Sequence, residues 1–344
     1  MQLDRPILNR WTHTPWVSKT PVDDRTVGGI LDEEVQIGFE GDGPMSSRRL
    51  VPLSAGAHEL LFGPHRDAAR RLITGTLATL DGLEGAANLR GMSMSSDQAS
   101  FATNLLMSNT EAGFYPDSVA ASDPVQFERS MVSLIPSVRA AKAQNTGWLD
   151  LGPRVSAKLR GLVEHGAEAP REDATEVALT LLHELQHSIT PHDPNTVRDS
   201  DVWLEEGVAE TLAWWPGQAA ALRERMGLPL RAGETIDPWS VPPDSVASTE
   251  YRNRHRSIQG LLGLAGVEPR TDDGTIDPGQ HDRAMQLLQG DVIDRVPRNL
   301  SRAIVRHQHL DESLEPELRQ RIVDVAGDPA RVDELGAWIE VNRR

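Results

Sequence analysis

The chain reads as an α+β protein, with a mixed α/β N-terminal half and a mostly helical C-terminal third. Three observations carry this. Short apolar pieces broken by Gly and Pro fill the first sixty of its 344 residues, in the manner of brief strands and loops. From about residue 154, apolar positions recur every three or four residues, the period of amphipathic helices. A composition of 38% hydrophobic and 25% charged residues is that of a globular chain able to bury a core. The expected organisation is a mixed half at 1–150 with an edge strand near 100–116, a helical site region at 151–265, and a helical region at 266–344.

Each element has its own warrant. Val35-Gln36-Ile37-Gly38-Phe39 and Leu50-Val51-Pro52-Leu53 are strand-like runs. Ala68, Leu72, Ile73, Thr76 and Leu80 predict a helix over about 64–83. Residues 99–115 read as extended, 127–141 as a helix, and 148–151 as a strand. Helices follow at 154–165, 173–190, 201–214, 217–226, 250–265, 281–290, 296–309, 314–325 and 329–341. A Pro-rich stretch, 228–245, reads as a long loop.

Charge and cysteine content narrow the chemistry. With 35 Lys+Arg against 51 Asp+Glu the formal charge is −16, a surface that repels nucleic-acid phosphates and anionic lipid. Neither nucleic acid nor membrane is expected as a partner. The longest apolar run, residues 261–267, is far shorter than the roughly 18 residues of a membrane span. Residues 1–6 carry no basic segment leading into an apolar core, so the expected compartment is the cytoplasm. The chain has no Cys, so a bound metal would be held by His, Asp and Glu.

One segment stands out. Residues 181–190 read Leu-Leu-His-Glu-Leu-Gln-His-Ser-Ile-Thr. On a helix His183 and His187, at i and i+4, share a face and can bind one tetrahedral metal ion. Glu184 sits beside the first of them, placed to address a water rather than to ligate. Ala174, Ala178, Leu181, Leu185 and Ile189 form an apolar stripe for the opposite face. Asp173 followed by Glu176 has the spacing of a capping box.

Eighteen residues beyond His187 comes Glu206, in Trp203-Leu204-Glu205-Glu206-Gly207-Val208-Ala209-Glu210. A second helix there would supply a third ligand, with Gly207 allowing it to lie close to the histidine helix. HExxH, an eighteen-residue gap and Trp-Leu-x-Glu-Gly-x-Ala together resemble the gluzincin clan of zinc metallopeptidases, in particular its aminopeptidase-like branch. The resemblance covers residues 173–215 firmly and 110–265 loosely. The Gly-x-Met-Glu-Asn motif of that branch is missing, so the resemblance does not extend to aminopeptidase activity.

What the resemblance implies is specific. It implies a thermolysin-like catalytic region with a small mixed sheet and active-site helices. One Zn2+ per chain would be held by His183, His187 and Glu206, with Glu184 as general base in hydrolysing a peptide bond of a peptide or protein substrate. Glu205 is the rival ligand; the spacing favours Glu206, leaving Glu205 as a solvated helix-surface charge. Glu210, one turn on, would accept a ligand histidine's N–H. Members of the clan supply a Tyr or His from a later helix to the oxyanion; Tyr251, 45 residues after Glu206, is the first candidate and His255 the second. Tyr115, in Gly113-Phe114-Tyr115-Pro116, resembles part of a substrate-binding edge strand. Arg252, Arg254 and Arg256 read as a solvated basic face, and Trp203, Trp214 and Trp215 as packing residues. The alternative reading is a non-peptidase or inactive metal-binding interaction protein that keeps the fold. The oligomeric state is left open.

Overall fold

The computed structural model describes residues 44–45, 48–49, 65–77, 79, 91–94, 101, 140–143, 148–189, 199–239, 249–271, 273–289, 295–325 and 328–343. In chain order the elements are β1 (Pro44–Met45), β2 (Arg48–Arg49), α1 (Arg66–Leu77), β3 (Gly91–Met94), β4 (Ala140–Ala143) and β5 (Trp148–Leu151). After them come α2 (Pro153–His165), α3 (Arg171–Ile189), α4 (Asp199–Ala213), α5 (Gln218–Arg225) and α6 (Thr249–Leu264). The last four are α7 (Pro278–Leu288), α8 (Arg295–His307), α9 (Glu315–Val325) and α10 (Pro329–Asn342).

This corrects the expected fold class. The described residues are mostly helical, not α+β: their helices run from 8 to 19 residues, whereas no strand exceeds four. The three-residue-plus periodicity after residue 153 fills nearly all the described chain with helix, and strand pairing is confined to β1–β2 and β3–β5–β4. In the latter, β3 runs parallel to β5 and β4 antiparallel to it. The strands expected at 35–39 and 50–53 lie outside the described residues. So does most of 99–115, although Phe101 is described, helical and buried. The helix expected at 127–141 also lies outside, except for its end, where Ala140 and Ala141 belong to β4. The nine helices expected from residue 154 onward are all present, with ends shifted by a few residues.

The chain divides into two compact units, Met1–Ser188 with Ala220–Glu234, and Ile189–Ala219 with Thr235–Arg344. In the first unit α2 begins at Gly152 and Pro153, where the missing proline N–H costs nothing, and ends at Gly166, whose φ of +53° suits glycine. Val155, Leu159, Leu162 and Val163 bury one side of α2. Ala174, Val177, Ala178, Leu181, Leu182 and Leu185 bury one side of α3. Asp173 and Glu176 do not form the expected capping box, because α3 already starts at Arg171. Both carboxylates accept from the Lys158 ammonium, and Glu176 also accepts from Arg154 at 2.9 Å. Burial works against the charge on Lys158, but the two acidic partners outweigh it and hold its pKa above the usual lysine value.

The loop after α5 is irregular through Trp239, as its prolines predict. Buried Arg223 organises it. Its Nε donates to the Leu228 carbonyl at 3.1 Å, its Nη1 to Thr175 Oγ1 at 3.3 Å, and its guanidinium pairs with the nearly buried Glu234. The hydrogen bond from Arg223 keeps the Glu234 carboxyl below the usual carboxylate range, against the opposing effect of burial.

The second unit is built on one helical core. Leu204, Val208 and Leu212 of α4 join Ile258, Leu261 and Leu262 of α6, Leu300 and Ile304 of α8, Leu318 and Ile322 of α9, and Leu335 and Ile339 of α10. Two glycines set helix distances here. A Cβ at Gly207 would lie 2.9 Å from Ile258 Cγ1 and 3.3 Å from the Arg254 carbonyl oxygen, so α4 and α6 touch backbone to side chain. A Cβ at Gly260 would lie 2.8 Å from Val332 Cγ1, which brings α10 equally close to α6. Asp277 and Asp328 cap α7 and α10 through the N–H groups of Gly279 and Ala330, each followed by a proline at the first helical position. No helix among the described residues is long and apolar enough to cross a membrane.

The buried Arg223–Glu234 pair has a measurable consequence. Arg223→Met should destabilise the first unit by about 1–3 kcal/mol in urea unfolding, because the Leu228 carbonyl and the Glu234 carboxylate lose their donor. Glu234→Gln added to that variant should recover part of the loss; a double variant no better than the single would place the cost elsewhere.

Candidate metal centre

On α3 the motif residues His183, Glu184 and His187 are all buried. The two imidazoles meet edge to face, with ring centroids 4.9 Å apart and planes at 79°. Their Nε2 atoms are 3.2 Å apart. Two nitrogens bound at about 2.0–2.1 Å to one tetrahedral ion would be separated by about 3.3–3.4 Å, so the pair is set as a chelating pair would be. The i,i+4 spacing produces this directly, since both side chains rise from one helix face.

α4 presents three carboxylates within six residues. Glu206 is partly exposed, while Glu205 and Glu210 are 3% and 5% exposed. Glu205 is therefore not the solvated surface charge expected of it; α4 is enclosed on that side as well. His183 and His187 lie in the first unit and Glu206 in the second. Two imidazole nitrogens and one carboxylate oxygen are a donor set suited to zinc among other divalent ions.

α6 carries the remaining candidates. Gly207 lies against this helix. Arg254 is not part of a solvated basic face: it is buried, with Nη1 3.7 Å from Glu206 Oε2 and its guanidinium 5.0 Å from the centroid of the half-buried Tyr251 ring. Of the three arginines in that run only Arg256 is exposed. Sequence reading missed Arg254 as a partner of Glu206; its spacing of three from Tyr251, on one helix face, was the available signal.

His255 sits in an aromatic enclosure. Its ring packs against Trp214 at 4.9 Å and Trp239 at 5.1 Å, both at steep angles. Trp215 packs in turn on Trp239, and both Trp214 and Trp215 are packing residues, as expected. His255 Nε2 approaches the Trp239 carbonyl at 3.5 Å and Nδ1 lies 3.2 Å from Thr211 Oγ1. A carbonyl only accepts, so Nε2 carries the proton and Nδ1 accepts from the threonine hydroxyl. Burial pushes the His255 pKa down to about 4, with Arg256 adding to the effect and the Trp239 carbonyl opposing it. Tyr115 lies outside the described residues. Comparison with family models, curated proteins and solved structures returned no match.

Because the unfolded His255 takes up a proton near pH 6.5 and the folded one near pH 4, the unfolded state binds more protons between these values. Stability should fall as pH drops through that window, by about 3 kcal/mol in total for this one group. His255→Gln should flatten that part of the pH–stability curve measured by denaturant unfolding; an unchanged slope would show that the ring is charged in the folded protein.

Proposed function

We propose that the protein is a zinc-dependent peptidase in which His183, His187 and Glu206 hold one Zn2+ and Glu184 is the general base. The observation that carries the reading is the pair of imidazoles on one face of α3, their Nε2 atoms 3.2 Å apart, with an acidic residue adjoining the first and Glu206 eighteen residues beyond the second. Zinc held by two imidazoles and a carboxylate supplies Lewis acidity at an open coordination position, which polarises a carbonyl and acidifies a water. Glu184 takes the proton of the attacking water and passes it to the leaving amine. Its burial favours this work, since a carboxylate shielded from bulk water exchanges protons with a bound partner more readily than with solvent. The Tyr251 hydroxyl is the candidate donor to the oxyanion. His255, enclosed by tryptophans and already bonded at both nitrogens, is a poorer one. The motif's likeness to gluzincin sequences supports peptide hydrolysis over other amide chemistry.

Metal analysis and cleavage assays on a denatured protein substrate test this together. The wild-type chain should hold about one zinc. His183→Ala or His187→Ala should lose it and melt at a lower temperature. Glu184→Gln should keep the zinc while cleavage falls by at least about 100-fold. Zinc binding without Glu184-dependent cleavage would leave a metal-binding interaction protein, and a zinc-free wild type under metal-replete conditions would remove the centre altogether. Tyr251→Phe should lower kcat by about 10²–10³ with KM little changed; an unaltered kcat would take the hydroxyl out of the reaction.

A further inference from the structure

We propose that Arg254 is a positioning residue for Glu206, holding the carboxylate in the orientation in which it ligates a divalent metal ion. The inference rests on Glu206 being a ligand, as read above, and extends that reading to a residue on a different helix.

The arginine is built into this place. The Arg254 carbonyl oxygen and Cβ lie 3.3 and 3.5 Å from where a side chain on Gly207 would begin, so the absence of a side chain next to Glu206 admits the backbone that carries the guanidinium. From there Nη1 reaches to 3.7 Å from Glu206 Oε2, with both side chains largely shielded from water. The Tyr251 ring, one turn back on α6, backs the guanidinium at 5.0 Å and limits its movement. A carboxylate offers two oxygens; an arginine beside Oε2 is compatible with a single metal bond from Oε1.

Charge argues for a need. Glu210, one turn on from Glu206 on α4, is buried, and like charges at that spacing repel. The guanidinium also repels a divalent ion, which acts in the opposite sense. The two effects differ in consequence: loss of orientation weakens metal binding in the arginine-free variant, whereas loss of repulsion strengthens it. Residues that orient metal ligands typically contribute 10- to 100-fold in affinity, and that is the expected balance.

The test uses the full chain, with zinc and cobalt(II) affinities measured by chelator competition for wild type, Arg254→Met and Arg254→Lys, and with melting temperatures of the metal-free forms recorded alongside. Arg254→Met should bind zinc about 10- to 100-fold more weakly and shift the visible absorption of bound cobalt. Arg254→Lys should recover part of both, because it returns the charge without the planar fork. Equal or tighter zinc binding by Arg254→Met with the wild-type cobalt spectrum would overturn the proposal. If Arg254→Met does not fold, Arg254→Lys decides: a several-fold weaker affinity with a shifted cobalt band supports it, and wild-type values on both overturn it. A wild type that binds neither metal would instead defeat the ligand reading, and this inference with it.

Discussion

The close approach of α4 and α6 at Gly207 is the constraint from which the rest of the second unit follows. No side chain fits there, because Ile258 and the backbone of Arg254 already occupy the space. That contact sets Leu204, Val208 and Leu212 against Ile258, Leu261 and Leu262, the centre of the helical core. It also determines what faces Glu206. A helix even one methyl group farther away would leave the Arg254 guanidinium short of the carboxylate and open a gap lined by apolar side chains, whose lost contacts are costly in a close-packed interior.

Electrostatics then explain the residues gathered on α4. Burying Glu205 and Glu210 near Glu206 is expensive unless positive charge or hydrogen-bond donors answer them. Arg254 supplies one such charge, and a divalent ion would supply two more. The Arg223–Glu234 pair of the first unit uses the same chemistry to a different end. There a single carboxylate meets a single guanidinium with further bonds to Leu228 and Thr175, so the charges are satisfied internally and the loop after α5 is held.

His255 shows how far local sequence can mislead about role. By position it follows Tyr251 by one helical turn and looks equally able to face a substrate. Its actual surroundings are Trp214, Trp239 and Thr211, which keep it neutral and committed to the core. A histidine so enclosed stabilises the unit at neutral pH and weakens it in acid, a structural part and not a chemical one.

The helices from residue 153 to the C-terminus, the long loop after α5 and the pairing of His183 with His187 were legible from the sequence, because each depends on spacing within one segment: the 3.6-residue period, proline's missing N–H, and the i,i+4 geometry of a single helix face. The overall class was misjudged, since short apolar pieces say nothing of whether they find strand partners. Which carboxylate on α4 is buried, which helix Gly207 meets, and that Arg254 turns inward to Glu206 were decided only by tertiary structure. Burial and charge pairing depend on what a second helix brings to the same point in space, and residues 45 or more positions apart in the chain carry no periodic signal of that meeting.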